Sequence, residues 1–147
     1  MATILLILPE IGRATTIAES LKLQYQHTVL VVKSEADAFA YLCIHVIDII
    51  IIDPLLPPDF LFENPNYTLS EKTEIGEIGF ILLSNLKKEI VTIQSEPKVI
   101  LFSIVDLKDL VRVGFDPLSR HVRRGSTSGS VLPKVIEEVL DLKHLKN

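Results

Sequence analysis

Four short stretches of the chain are almost purely aliphatic and stop abruptly at a proline or a polar residue. They are Ala2–Leu8, Thr28–Val32, Asp48–Ile52 and Lys98–Phe102, with a fifth, weaker run over Ser119–Val122. A strand buried on both faces reads this way, because neither face has to meet water. Between these runs the apolar spacing becomes helical. Ala14, Ile17, Ala18 and Leu21 recur at i, i+3, i+4 and i+7 and predict a helix over 13–24. Ala36, Phe39, Ala40 and Cys43 repeat the pattern behind Ser34, whose hydroxyl suits an N-cap, and predict a helix over 35–45. Leu82, Leu83, Leu86 and Ile90 predict one over 79–90. A short helix is expected over 107–113, and Val131, Val135, Val139 and Leu142 mark the last, behind the cap-rich Ser126-Thr127-Ser128-Gly129-Ser130.

Strand and helix therefore alternate five times. Right-handed crossovers turn that order into a parallel sheet with helices on both faces. The expected fold is α/β and flavodoxin-like: a doubly wound, five-stranded parallel sheet of order 2-1-3-4-5 in a single domain over 1–147. One segment breaks the rhythm. Residues 57–78 carry three prolines, Asn64, Asn66 and four glutamates with neither period, and are expected to form an inserted loop. Its Phe60-Leu61-Phe62 could cover a pocket or meet a partner.

Composition narrows the function classes. With 48% hydrophobic residues against 23% charged, 147 residues bury a real core without a metal or disulfide to hold it. Fifteen Lys and Arg against nineteen Asp and Glu leave a net charge of −4, which argues against binding nucleic acid by phosphate neutralisation. His27, His45, His121 and His144 are scattered rather than spaced as metal ligands, and the single Cys43 has no internal partner. Cys43 is expected to be a small core residue. No signal peptide and no run of about 20 apolar residues are present, so a cytoplasmic protein without membrane contact is expected.

Ligands of open parallel sheets bind beyond the carboxyl ends of the strands. Glu10 follows the first strand, Asp53 the third, Ser103 the fourth, and Arg123 and Arg124 the fifth. A carboxylate at such a place can accept a phosphoryl group if cations and hydrogen-bond donors stabilise the equatorial oxygens. The run Asp48-Ile49-Ile50-Ile51-Ile52-Asp53-Pro54-Leu55-Leu56-Pro57 resembles the third strand of response-regulator receiver domains, with Asp53 at the phosphoacceptor position. Ile4–Glu10 resembles the first strand and acidic turn, Gly79 the glycine opening the third helix, Lys98–Ser103 the fourth strand with its terminal hydroxyl, and Gly114 the glycine before the fifth strand. The likeness covers nearly the whole chain apart from the insertion.

The departures carry as much meaning. Where receivers hold Mg²⁺ with an adjacent acidic pair, this chain has Leu8-Pro9, which leaves Glu10 and Asp53 as the only metal candidates. Mg²⁺ demands near-octahedral oxygen coordination, so metal binding is expected to be weak or absent. Pro54 after the acceptor has no N–H to give a phosphoryl oxygen. Ser103 replaces the usual threonine, and Arg123 or Arg124 the usual lysine, with Arg123 taken as the candidate. The resemblance implies an atypical, stand-alone receiver-like domain, not an enzyme. It would act by contact with a signalling protein and as a homodimer through the face spanning 107–142, with phosphorylation at Asp53 impaired or lost. The alternative is a working receiver that takes phosphate from a histidine kinase onto Asp53 with Mg²⁺. A flavin or nucleotide binder is disfavoured, because 9–16 lacks a hydroxyl- and glycine-rich phosphate loop.

Overall fold

A computed structural model, describing residues 2–61, 74–93, 96–125 and 128–145, sets the aliphatic runs side by side in one parallel sheet. The strands are β1 (Thr3–Ile7), β2 (Thr28–Val32), β3 (Ile49–Ile52), β4 (Lys98–Ser103) and β5 (Arg120–Arg123), in the order β2-β1-β3-β4-β5. The helices are α1 (Ile11–Tyr25), α2 (Glu35–Ile44), α3 (Glu77–Ile93), α4 (Leu107–Arg112) and α5 (Ser128–Leu145). This is the flavodoxin-like topology that the alternation predicts.

Strand side chains alternate between faces, so each aliphatic run feeds two cores at once. Leu5, Ile7, Ile50, Ile52 and Leu101 join Ala38 and Leu42 of α2, Leu82, Leu86 and Ile90 of α3, and Leu110 of α4. Ile4, Leu6, Ile49, Ile51, Ile100, Phe102 and Val122 join Ala14, Ala18 and Leu21 of α1 and Leu132, Ile136 and Val139 of α5. All four isoleucines of β3 are fully buried, which is why that run carries no polar alternation. His27 ties the amino terminus down: its Nδ1 accepts from the Ala2 N–H at 3.2 Å, while Nε2 faces Glu137 of α5 at 3.3 Å.

Two helices turn a different face inward than their spacing suggests. In α2 the buried stripe is Glu35, Ala38 and Leu42; Ala40 and Cys43 are exposed and Phe39 half-buried. Cys43 is therefore not a core residue. The stripe is concealed in the sequence because a carboxylate belongs to it, and Glu35 is accommodated by Asn85 of α3, whose Nδ2 donates to Oε2 at 2.8 Å. In α5 the inward face is Leu132, Ile136 and Val139, while Val131 is 40% exposed. The side chain of Leu142 lies outside the described residues.

The expected insertion is also shorter. Pro58–Leu61 forms a 3-10 turn whose Phe60 and Leu61 are buried in the core on the α2 and α3 side, and α3 begins at Glu77 with Ile78 buried. Positions 62–73, with Phe62, lie outside the described residues.

Gly79 and Gly114 fix how α3 and α4 approach the strand ends. A Cβ at Gly79 would stand 2.4 Å from the Cα of Pro54, and the Gly79 N–H donates to the Pro54 carbonyl at 3.2 Å. Gly114 holds φ at +123° and leaves room for the Phe80 ring, which a Cβ would meet at 2.5 Å. Gly79→Ala is expected to cost about 1–3 kcal/mol, because backbone rather than a flexible side chain must give way. Urea unfolding of the variant beside the parent checks this.

Candidate functional site

The sheet register levels the strand ends. Ile7 pairs with Ile52, Ile52 with Leu101, and Ser103 with Arg123. Beyond the strands the ladder continues by one bond on each side: the Asp53 N–H donates to the Ile7 carbonyl at 2.9 Å and the Arg124 N–H to the Ser103 carbonyl at 3.2 Å. Asp53 and Arg124 therefore sit on backbone as rigid as the sheet itself.

Asp53 is 2% exposed. Its Oδ1 accepts from the Leu55 N–H at 2.9 Å, a turn that skips Pro54 because proline has no N–H to offer. Its Oδ2 accepts from Nη1 of Arg124 at 2.5 Å. The other terminal nitrogen of the same guanidinium, Nη2, donates to Oε2 of Glu10 at 3.0 Å, and the guanidinium carbon stands 5.3 Å from the centre of the Phe102 ring. Arg124 thus clasps two carboxylates and stacks on an aromatic ring, the combination that a planar fork serves and an ammonium does not. Its side chain is only 7% exposed, against 53% for Glu10.

Burial pushes the Asp53 carboxyl above the ordinary range, outweighing the Leu55 N–H and the Arg124 guanidinium, which both pull it down. Burial also works against the charge on Arg124. The hydrogen bonds to Asp53 and Glu10 overcome it and hold the guanidinium above its ordinary value, so it stays charged.

Of the residues the sequence singles out, the structure joins Asp53 and Glu10 but does not join Arg123 to them. Arg123 points to the opposite side of β5, 66% exposed, where its Nη1 meets Asp106 at the start of α4 at 2.5 Å. Arg124 is the cation of the cluster. The two arginines are adjacent and strand alternation sends them to opposite faces, so an alignment uncertain by one residue cannot choose between them. Ser103 is fully buried at the end of β4, and its Oγ accepts from the Val105 N–H at 3.0 Å. The role of Phe102 under the guanidinium was hidden among ordinary core aromatics.

The residues do not fit Mg²⁺. Buried Leu8 and half-buried Pro9 stand where carboxylates would be needed, and the two carboxylates present are bridged by one cation. Among the described residues no group of three or more His, Cys, Asp or Glu side chains could hold a metal ion. Above the clasp lies an open cleft of about 580 Å³, rimmed by Glu10, Arg13, Leu55, Pro57 and Ile104. No described helix is long and apolar enough to cross a membrane.

No protein-family model and no curated protein matches the chain. Solved structures do. A two-component response regulator from Clostridium difficile is 11% identical with a TM-score of 0.63, over 96% of this chain and 97% of that one. Chemotaxis protein CheY4 from Vibrio cholerae is 13% identical with a TM-score of 0.64, over 95% and 98%. A response regulator from Thermotoga maritima is 18% identical with a TM-score of 0.62, over 96% and 98%. The chain superimposes on these proteins along almost its whole length and, with its five-stranded parallel sheet of order β2-β1-β3-β4-β5, has the fold of a response-regulator receiver domain.

Proposed function

We propose that the chain is a receiver-like signalling module inside the cell, a pseudo-receiver that acts by protein contact and does not use Asp53 as a phosphoacceptor. The observation that supports this reading is the Arg124 clasp. A carboxylate that attacks phosphorus needs a free oxygen lined up with the leaving group and cations arranged around the equatorial oxygens. Here one Asp53 oxygen is taken by the Leu55 N–H and the other by a guanidinium that is itself tied to Glu10. Pro54 offers no N–H, the Ser103 hydroxyl is engaged by Val105, and the carboxylates for Mg²⁺ are missing. The clasp puts one internal cation where a metal's charge would stand and leaves both Asp53 oxygens engaged.

The partner is a signalling protein or a second copy of the chain. The face built by α4, β5 and α5 is the surface proposed for homodimerisation. It includes the edge strand of the sheet and is crossed by the ion pairs Arg120–Glu138 and Arg123–Asp106. A strictly monomeric species at high micromolar concentration in sedimentation would refute the dimer.

Intact-mass analysis after incubation with acetyl phosphate and Mg²⁺ tests the central reading. The expected result is no phosphoryl adduct on the folded protein, as for Asp53→Asn. A Mg²⁺-dependent adduct that Asp53→Asn abolishes would establish a working receiver, served by a histidine kinase, in which Arg124 yields to the phosphoryl group.

A further inference from the structure

A groove leads away from Arg124 between α1 and α5. Its inner recess, about 220 Å³, is walled by Ile17, Leu21, Phe102, Leu132 and Pro133. Its outer part, about 530 Å³, shares Thr16, Ile17 and Phe102 with the recess and opens between Arg13, Ile104 and Arg124. The groove opens to solvent, and the facing positions on the two helices are small: Thr16 and Ser20 on α1, Gly129 on α5. Together the two parts fall in the size range of small-molecule sites, roughly 300–1,000 Å³.

The lining specifies a chemistry. The inner walls are apolar, with one aromatic ring; the polar side chains among them are the hydroxyls of Ser20 and of Thr16, the latter donating to the Gly12 carbonyl. Gly129, on the α5 wall, has no i+4 amide donor for its carbonyl, because that residue is Pro133. At the rim stands Arg13, exposed and without a carboxylate partner among the described residues. Arg124 beside it is already neutralised by Asp53 and Glu10, so Arg13 supplies the uncompensated charge. An apolar slot with a cation at its mouth selects a molecule with a flat or slender apolar body and one anionic group.

From this we infer that the groove between α1 and α5 is a binding site for a small amphipathic anion, an aromatic or short acyl body carrying a carboxylate, sulfonate or phosphate that pairs with Arg13. The inference does not depend on whether Asp53 accepts phosphate.

The test uses the full chain and two probes that share a body. 1-Anilinonaphthalene-8-sulfonate carries the anion, and N-phenyl-1-naphthylamine lacks it. The sulfonate should bind saturably at one site with a fluorescence rise, and Arg13→Gln should weaken it about tenfold, the loss of one charge-assisted contact, while leaving the neutral probe unchanged. Ser20→Phe, which fills the recess, should abolish binding of both probes. Thr16→Phe, at an exposed position on the same wall, serves if Ser20→Phe does not fold as judged by near-ultraviolet circular dichroism. Three results would overturn the inference: no saturable binding of the sulfonate, binding that survives filling of the groove, or equal loss of both probes in Arg13→Gln.

Discussion

Arg124→Met should destabilise the protein by about 3–5 kcal/mol at neutral pH, the cost of leaving a buried charge without its partner. Methionine keeps an apolar stem over Phe102 but gives Asp53 nothing, so the carboxylate retains only the Leu55 N–H at 2.9 Å. The loss depends on pH in a direction that identifies its origin. Burial already raises the Asp53 carboxyl above its ordinary value, and removing Arg124 removes a group that lowers it. In the window between the unfolded value of 3.8 and the raised folded value, the folded state holds more protons than the unfolded chain. Stability contributed by this group therefore increases as pH falls through that window and is lost as pH rises through the folded value. A carboxylate stabilised by its ion pair would show the opposite slope. Urea unfolding of parent and variant across a pH series reads the difference, and Arg124→Met combined with Asp53→Asn should recover most of the loss, since the buried charge goes with its partner. Arg123→Ala is the control: its pair with Asp106 is exposed and should be worth no more than about 1 kcal/mol. Equal effects of Arg123→Ala and Arg124→Met would mean that Asp53 and Arg124 do not form a buried clasp.

Phe60→Ala should cost about 3–5 kcal/mol, as expected for a large aromatic removed from a packed core. Phe60 is 5% exposed and belongs to the same buried cluster as Leu56, Ile78, Leu82 and Leu83. The turn that carries it, Pro58–Leu61, lies between β3 and the helix whose first turn packs on Pro54, so this segment anchors the loop that also presents Asp53. A side chain on a free insertion would tolerate truncation with almost no effect. The midpoint of urea unfolding should fall while its slope is unchanged; a midpoint shift near zero would return Phe60 to the loop.

The residues that disclosed the fold and those that concealed it differ in a physical way. Aliphatic runs such as Ile49–Ile52 are unambiguous, because burial on both faces leaves no other use for four consecutive isoleucines; their alternation with helices points to a parallel sheet, and the flavodoxin-like reading supplies the order 2-1-3-4-5 that the structure shows. Helix faces are less certain where a polar residue belongs to the buried side. Glu35 completes the inward stripe of α2, and only its tertiary partner Asn85 makes that possible, so the apolar but outward Ala40 and Cys43 look like core. Phe60 and Leu61 sit in a proline- and glutamate-rich stretch whose composition outweighs two apolar residues. At the site, Asp53 and Glu10 are legible because they follow recognisable strands; Ser103 ends one too, but its hydroxyl accepts from the Val105 N–H and is not part of the clasp. The choice between Arg123 and Arg124 is a matter of strand parity, which requires the register of β5 against β4.

The clasp also explains why the departures from the receiver pattern come together. A buried carboxylate left without Mg²⁺ needs a fixed positive charge, and an arginine long enough to span from the end of β5 to Asp53 and Glu10 supplies it. On the proposed reading, once that cation is in place the acidic pair and the N–H after Asp53 have no function to serve, and Leu8, Pro9 and Pro54 are tolerated.

The most direct measurement is a ¹H–¹⁵N spectrum of the amides of Leu55, Val105 and Arg124 during titration with Mg²⁺ and then with beryllofluoride, which mimics a phosphoryl group on an aspartate. These three amides report on the Asp53 turn, the Ser103 turn and the clasp. Their positions should not change at any concentration of either reagent, while the Arg124→Met variant responds to neither by regaining an adduct. Saturable shifts of all three in the parent protein would contradict the clasp as a closed site and make Asp53 a functioning acceptor.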